Sequence, residues 1–255
     1  MKQLRFIPND VCGLRVAPSE DGKDDSRVVA GKPIIFGVRS VNLTPWSSTR
    51  VVYEILEPGC ISNDLLQRSD VILNINHSSK VTDVLGRCQN GNGTLSLALR
   101  EDHIEAECDL PRTNAANDTL ELIRRGDISG MSFAFDDDWE DSENGVSYER
   151  TNTMEDGKEV WIRHIKRITA LYDVSIVTHP AYEQTSVGTR EVGDAILKRI
   201  DEQSQRLHDN TANEEAENAR LEKERKDRES AMATERLKRM RRRMNENIIS
   251  SITNP

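Results

Sequence analysis

The chain has 255 residues, a formal net charge of −9, 36% hydrophobic residues, 31% charged and only 4% aromatic. That length holds one large domain or two small ones, but so few aromatics beside so much charge mean that one part is not packed into a core. The negative balance argues against general nucleic-acid binding, no apolar run is long enough to cross a membrane, and Met1 to Pro8 lacks the apolar core of a signal peptide.

Residues 1–27 read as a polar arm with a Gly/Asp/Ser-rich loop at Ser19 to Asp25 and a short strand at Leu14-Arg15-Val16. Val28 to Gly31 and Pro33 to Gly37 are strand material with a bend at Lys32-Pro33. Val51 to Leu56 is a further strand, stopped by Pro58-Gly59, and Ile61 to Leu66 reads as a short helix. Val71 to His77 is a strand ending in a histidine, with Val71, Leu73, Ile75 and His77 on one face. Asn90-Gly91-Asn92-Gly93 is a turn. After it Leu95, Leu97 and Leu99, then Ile104, Ala106, Cys108 and Leu110, alternate with polar or small residues, as in two half-buried antiparallel strands. His103 falls in the turn between them and reads as solvated.

Thr113 to Arg125 carries a helix, with basic residues at its end and Gly126 as its stop. The next strand, from Met131, sets Met131, Phe133 and Phe135 on one face and Ser132 and Ala134 on the other. A strand buried on both faces rarely has one bulky and one small face, so Ser132 is expected against an open groove. Asp136 to Gly145 reads as an acidic solvated loop, and Val160 to Ile165 as a strand. Ile168 to Thr178 is the last strand, with Leu171, Asp173, Ser175 and Val177 on one face. An aspartate within so apolar a strand is costly to bury unless it is paired.

Composition changes near Asp194. From Asp201 to Asn247 there are 12 acidic and 12 basic residues and no aromatic, glycine or proline, so the tail is neutral and the net charge lies before it. It reads as a long solvated helix or a helix-prone disordered arm. Leu221, Met232, Leu237, Met240 and Met244 keep no sustained heptad. The basic run Arg236 to Arg243 is by default a solvated face, and otherwise a docking arm for an acidic surface or nucleic acid. Cys12, Cys60, Cys88 and Cys108 form no Cys-x-x-Cys pair, which disfavours a zinc site and suits a reducing, cytoplasmic setting.

A strand-end histidine, a serine on a small-residue face and an aspartate on a late apolar strand are the parts of an activated hydroxyl. Serine is a poor nucleophile until a base takes its proton, and a third group must hold that base's ring and tautomer. The order His77, Ser132, Asp173 matches neither the chymotrypsin nor the subtilisin order, and there is no Gly-x-Ser-x-Gly elbow.

Four stretches carry a resemblance. Tyr53-Glu54-Ile55-Leu56-Glu57-Pro58-Gly59, Leu73-Asn74-Ile75-Asn76-His77, Leu122 to Phe135 with its Gly126-Asp127-Ile128-Ser129-Gly130-Met131-Ser132 turn, and Leu171 to Tyr182 stand in the order of the corresponding segments of tailed-phage prohead maturation proteases. Those proteases are similar in fold to the herpesvirus assemblins. The resemblance covers roughly residues 28–190. It implies a mainly β fold with flanking helices, a closed antiparallel β-barrel of the herpesvirus-protease type. It also implies His77 as general base, Ser132 as nucleophile and Asp173 as orienting acid. Because assemblins use a second histidine in the third role, His179 and His164 are rivals to Asp173. His179, before Pro180, and the long acidic loop after Phe135 depart from the family pattern.

The expectation is therefore an N-terminal arm over 1–27, a serine protease barrel over 28–193 and a charged tail over 194–255 that is scaffold-like or capsid-docking. The resemblance implies a serine endopeptidase inside the procapsid in the host cytoplasm. It would cleave scaffold and the leading segment of the major capsid protein and then itself, without cofactor, metal, membrane or specific nucleic acid, with self-association left open. The alternative is an inactive assembly or scaffold protein that keeps the barrel and works through its tail. A metal-dependent hydrolase is disfavoured, because no two histidines stand at ligand spacing near a carboxylate.

Overall fold

The computed structural model describes residues 2–7, 9–18, 26–178 and 187–253. In chain order the elements are β1 (Gln3–Ile7), α1 (Asn9–Cys12), β2 (Arg15–Val16), β3 (Val28–Ile35), β4 (Arg50–Leu56), α2 (Asn63–Arg68) and β5 (Asp70–Ile75). After a short 3-10 turn at Val81–Asp83 come β6 (Val84–Gln89), β7 (Asn92–Gly93), β8 (Leu95–Leu99), β9 (His103–Asp109) and α3 (Asn114–Arg125). Then follow β10 (Gly130–Asp137), β11 (Val146–Glu155), β12 (Lys158–Ile165), β13 (Ile168–Val177) and α4 (Val187–Thr253).

The strands form three sheets: a six-stranded one ordered β1-β10-β13-β5-β6-β7, a three-stranded one ordered β11-β12-β4, and a four-stranded one ordered β2-β3-β9-β8. A mainly β fold with helices is what the sequence led one to expect, but the closed antiparallel barrel is not. Among the described residues no sheet returns to its first strand, so each keeps two edges. Two neighbouring pairs, β13 with β5 and β12 with β4, run parallel. Alternation along a strand reports which face is buried, but not which strand lies beside it or in which direction, so the hydrogen-bond ring could not be read from the pattern. Side chains rather than a ring of hydrogen bonds join the sheets, around a core that includes Ile34, Leu73, Leu85, Ile104, Phe133 and Phe135.

Helix α3 has the expected ends. The Thr113 side chain accepts from the Ala116 amide, and Gly126 closes the helix in the left-handed conformation at φ +79°. Strand β10 runs further than the sequence suggested, because Asp136 and Asp137 continue it and Asp137 is buried rather than solvated. The chain divides into two compact units, Met1–Leu197 and Lys198–Pro255. In the second, residues 217–230 are helical and all exposed. Pairs four residues apart, such as Lys226 with Glu222 and Arg220 with Glu224, line this helix. Each such pair adds only a few tenths of a kcal/mol.

Candidate active site

Strand β10 lies between β1 and β13 in the six-stranded sheet. Ser132 stands opposite Phe6 on one side and Ser175 on the other, and Ala134 stands opposite Asp173. Residues directly opposite share a face. Ser132, Ala134, Asp173 and Ser175 therefore line one face of the sheet, while Met131, Phe133, Val174 and Ile176 line the other. Among the described residues β10 does not face the expected open groove: both its faces are covered, and Ser132 is only 4% exposed.

Alternation with Ser175 sets Asp173 on the serine's side, and an irregularity follows it. Ala134 pairs with Asp173 but Phe135 pairs with Leu171, so Tyr172 is an extra residue in β13. This bulge splits Leu171 from Asp173, which the sequence placed on one face. Leu171 joins Phe135 in the core, while Asp173 stays on the serine's side. Re-aiming a side chain beside a site is a common use of a bulge.

His77 reaches the same side by a second device. Strand β5 ends at Ile75, whose pairing with Ile176 sets it on the core face. Had the strand continued, His77 would have faced the core with Val71 and Leu73. Instead Asn76 and His77 both adopt positive φ, +50° and +54°, and the chain leaves the sheet with the ring over the serine. Two non-glycine residues in this conformation each cost about 1–2 kcal/mol, so the turn must be held. The Asn76 amide donates to the Ile176 carbonyl at 3.0 Å, the His77 amide to Ser175 Oγ at 3.0 Å, and the Ser78 amide to the Ile75 carbonyl at 3.0 Å. Asn76 Oδ1 in turn accepts from the Thr178 amide at 3.1 Å.

His77, Ser132 and Asp173 meet. His77 Nε2 lies 2.6 Å from Ser132 Oγ, and its Nδ1 lies 2.5 Å from Asp173 Oδ1. With Nδ1–H on the carboxylate, Nε2 is left as the free acceptor toward the hydroxyl, which is the tautomer a general base needs. Ser132 Oγ also donates to the Arg5 carbonyl at 2.9 Å, so its one hydrogen has two acceptors. The second carboxylate oxygen of Asp173 accepts from Lys2 Nζ at 3.0 Å. Burial pushes the Asp173 carboxyl up, but the hydrogen bond and charge of His77, then those of Lys2, outweigh it and hold the group below its ordinary value. Such a group stays ionised and able to balance an imidazolium.

The rivals stand elsewhere. His164 on β12 has Nδ1 on Glu57 at 2.6 Å and Nε2 on Glu149 at 3.1 Å, so both ring nitrogens are engaged. His179 lies outside the described residues. His103, expected to be solvated, opens β9 with its ring largely buried and Nδ1 at 2.5 Å from Asp102. Burial pushes the Cys60 and Cys108 thiols up to about 12, so neither is a thiolate near neutral pH. Among the described residues no three His, Cys, Asp or Glu side chains gather as metal ligands, and no helix is long and apolar enough to cross a membrane.

The sequence reading missed the contribution of β1. Gln3 and Arg5 point inward while Leu4 is exposed, the reverse of the usual alternation. The polar residues enter a buried charge cluster. Arg5 holds Glu54 through Nε at 2.5 Å and Nη2 at 2.6 Å, Arg163 pairs with both Glu54 and Asp137, and the Gln3 amide donates to Asp137 at 2.7 Å. The readable signal was the chain of compensating charges itself, with Arg5, Glu54, Asp137 and Arg163 each on a strand.

Residues 15–199 match the family model described as the caudovirus prohead serine protease. The chain belongs to that family. No curated protein and no solved structure matches it. The matched span holds His77, Ser132, Asp173 and Ser175, whereas β1, which brings Lys2 and Arg5 to them, precedes it. Family membership points to a serine peptidase of phage capsid maturation, with capsid proteins as substrates and the procapsid as its place of work.

Proposed function

We propose that this protein is the serine endopeptidase of a phage procapsid, with Ser132 as nucleophile, His77 as general base and Asp173 as the acid that orients it. It cleaves scaffold and the leading segment of the capsid protein, and then itself. The observation that carries the reading is the unbroken line Asp173 Oδ1, His77 Nδ1, His77 Nε2, Ser132 Oγ, with steps of 2.5 and 2.6 Å. In the first half-reaction Ser132 Oγ attacks the scissile carbonyl carbon and its proton passes to His77 Nε2. The imidazolium then returns that proton to the leaving amine as the C–N bond breaks. In the second half water replaces the amine and attacks the acyl carbon as His77 takes its proton; the imidazolium then returns that proton to Ser132 Oγ as the acyl–oxygen bond breaks, which regenerates the free enzyme.

Three features support this assignment over a structural role for the same residues. The left-handed pair Asn76-His77 is backbone strain located at the ring that contacts the serine. The bulge at Tyr172 lets β13 send Leu171 into the core while its neighbour Asp173 keeps a carboxylate on that ring. Of the two rival histidines, His164 offers no alternative line, because both its ring nitrogens are engaged by glutamates. In domain terms, the protease body runs from about residue 28 to 193 with β1 as an added strand, and the charged tail beyond it is a docking or scaffold-like segment.

The test is self-cleavage and cleavage of capsid protein and scaffold by the full-length chain, followed by intact mass beside Ser132→Ala and His77→Ala. Wild type is expected to trim its targets while both variants leave them whole. If all three are equally inert with capsid protein and scaffold present, the β-sheet body is an assembly component and the tail is the working part.

A further inference from the structure

Ser175 is fully buried on β13, opposite Ser132 and between Asp173 and the His77 turn. Its hydroxyl has four polar neighbours. The His77 amide donates to it at 3.0 Å, His77 Nδ1 lies at 3.1 Å, Asp173 Oδ1 lies at 3.2 Å, and Asn74 Oδ1 accepts its hydrogen. Asn74 sits directly beside it on β5, and its Nδ2 donates to the Ser78 carbonyl at 3.3 Å. The serine hydrogen has two acceptors, Asn74 Oδ1 and Asp173 Oδ1; given to Asn74, it leaves the oxygen's lone pairs facing His77, and removal of the carboxylate leaves Asn74 as its acceptor.

We infer that Ser175 is a positioning residue of the proteolytic reaction, one that holds His77 by its backbone and stands ready as a second acceptor for the ring's Nδ1–H. The inference rests on the assignment of His77 as general base. The backbone bond matters because the parallel ladder between β5 and β13 ends at Ile75 with Ile176, so the His77 amide has no ladder partner. A buried orphan amide in a strained turn would let the turn relax and move the ring away from Ser132. The ring contact matters because the oxygen already faces Nδ1. If the carboxylate is deleted, Nδ1–H turns to Ser175 and Nε2 remains the acceptor. If the carboxylate is replaced by an amide, the amide N–H competes for Nδ1 and imposes the wrong tautomer.

The experiment is a set of full-length variants assayed on a peptide substrate across pH. Ser175→Ala is expected to lower kcat by about 10- to 100-fold with little change in KM, the size of effect produced by misplacing a catalytic group by about 1 Å. Ser175→Thr, which keeps the hydroxyl, is expected to recover most of the loss. Asp173→Asn should lose about 10⁴-fold in kcat, the cost of the wrong tautomer. Asp173→Ala should lose clearly less, and Asp173→Ala with Ser175→Ala should fall to the Asp173→Asn level. A Ser175→Ala enzyme with wild-type kcat and pH profile overturns the inference. So does an Asp173→Ala enzyme as poor as Asp173→Asn, a comparison that does not depend on any Ser175 variant folding. Failure of the protease assignment shows separately, as a wild-type chain that neither cleaves peptide nor is labelled at Ser132 by a fluorophosphonate. In that event the nitrogen NMR shifts of His77 in Asp173→Ala, with and without Ser175→Ala, still decide whether Ser175 holds the Nδ1–H tautomer.

Discussion

Arg163→Met removes a guanidinium that is 3% exposed and lies between two buried carboxylates, Glu54 and Asp137. Truncating one partner of a buried ion pair costs about 3–5 kcal/mol, because the remaining charge is stranded. Here the stranding is partial. Arg5 still holds both oxygens of Glu54, and the Gln3 amide still donates to Asp137. The lower end, about 3 kcal/mol, is therefore the expectation. For a body of this size each kcal/mol moves the midpoint by about 2–4 °C, so the thermal midpoint should fall by about 6–12 °C. The assay is thermal unfolding of the full-length chain by circular dichroism, beside Tyr53→Phe as a control that loses one part-buried bond to Glu155. A drop no larger than the control's would refute the reasoning, since it would mean that water reaches the cluster and screens it.

Stability should also fall with acid. Burial pushes the Glu54 carboxyl up, but Arg5 and Arg163 outweigh it and hold the group below its ordinary value, and Asp173 is held down by His77 and Lys2. A carboxyl depressed on folding gives stability that is complete above its unfolded value of about 4 and is lost as pH falls through the folded one. Urea unfolding should thus show little change from neutral pH to about 5 and a steep decline below about 4, and a flat profile to pH 3 would contradict it. Gly126→Ala should cost about 1–2 kcal/mol, all of it conformational, because the added carbon meets nothing within 4 Å at φ +79°; an unchanged urea midpoint would count against the left-handed cap. His164→Ala should leave peptide cleavage intact, since that ring serves two glutamates away from Ser132, and a large loss would reopen its claim to the third role. Mild trypsin treatment should cut within the exposed helix of residues 217–230 and leave a stable body, whereas resistance of that stretch in the free protein would oppose an arm.

The identity of the site residues and their convergence were legible to different degrees, and the reason is physical. Ser132 stood out because its strand has one bulky and one small face, and Asp173 because a carboxylate in an apolar strand needs a partner. Both properties are local. Convergence depended on a backbone departure that period-two reasoning cannot contain, the left-handed turn at Asn76-His77. Without it His77 would point into the core beside Leu73, while Ser132 and Asp173 would still share the opposite face by alternation. The extra residue Tyr172 in β13 is a second departure, and it puts Leu171 in the core although the sequence placed it with Asp173.

The N-terminal strand failed to appear for the opposite reason, because its pattern is regular but inverted. Leu4 faces out and Gln3 and Arg5 face in, an arrangement held because Glu54 on β4 pairs with Arg5, Asp137 on β10 accepts from Gln3, and Arg163 on β12 bridges the two carboxylates. The same inversion ties the strand to the site. The residues that anchor β1 in the charge cluster also set the Arg5 carbonyl on Ser132 and carry Lys2 to Asp173. Stability and chemistry therefore share a support here, and a substitution in the cluster should be felt at the serine before the fold is lost.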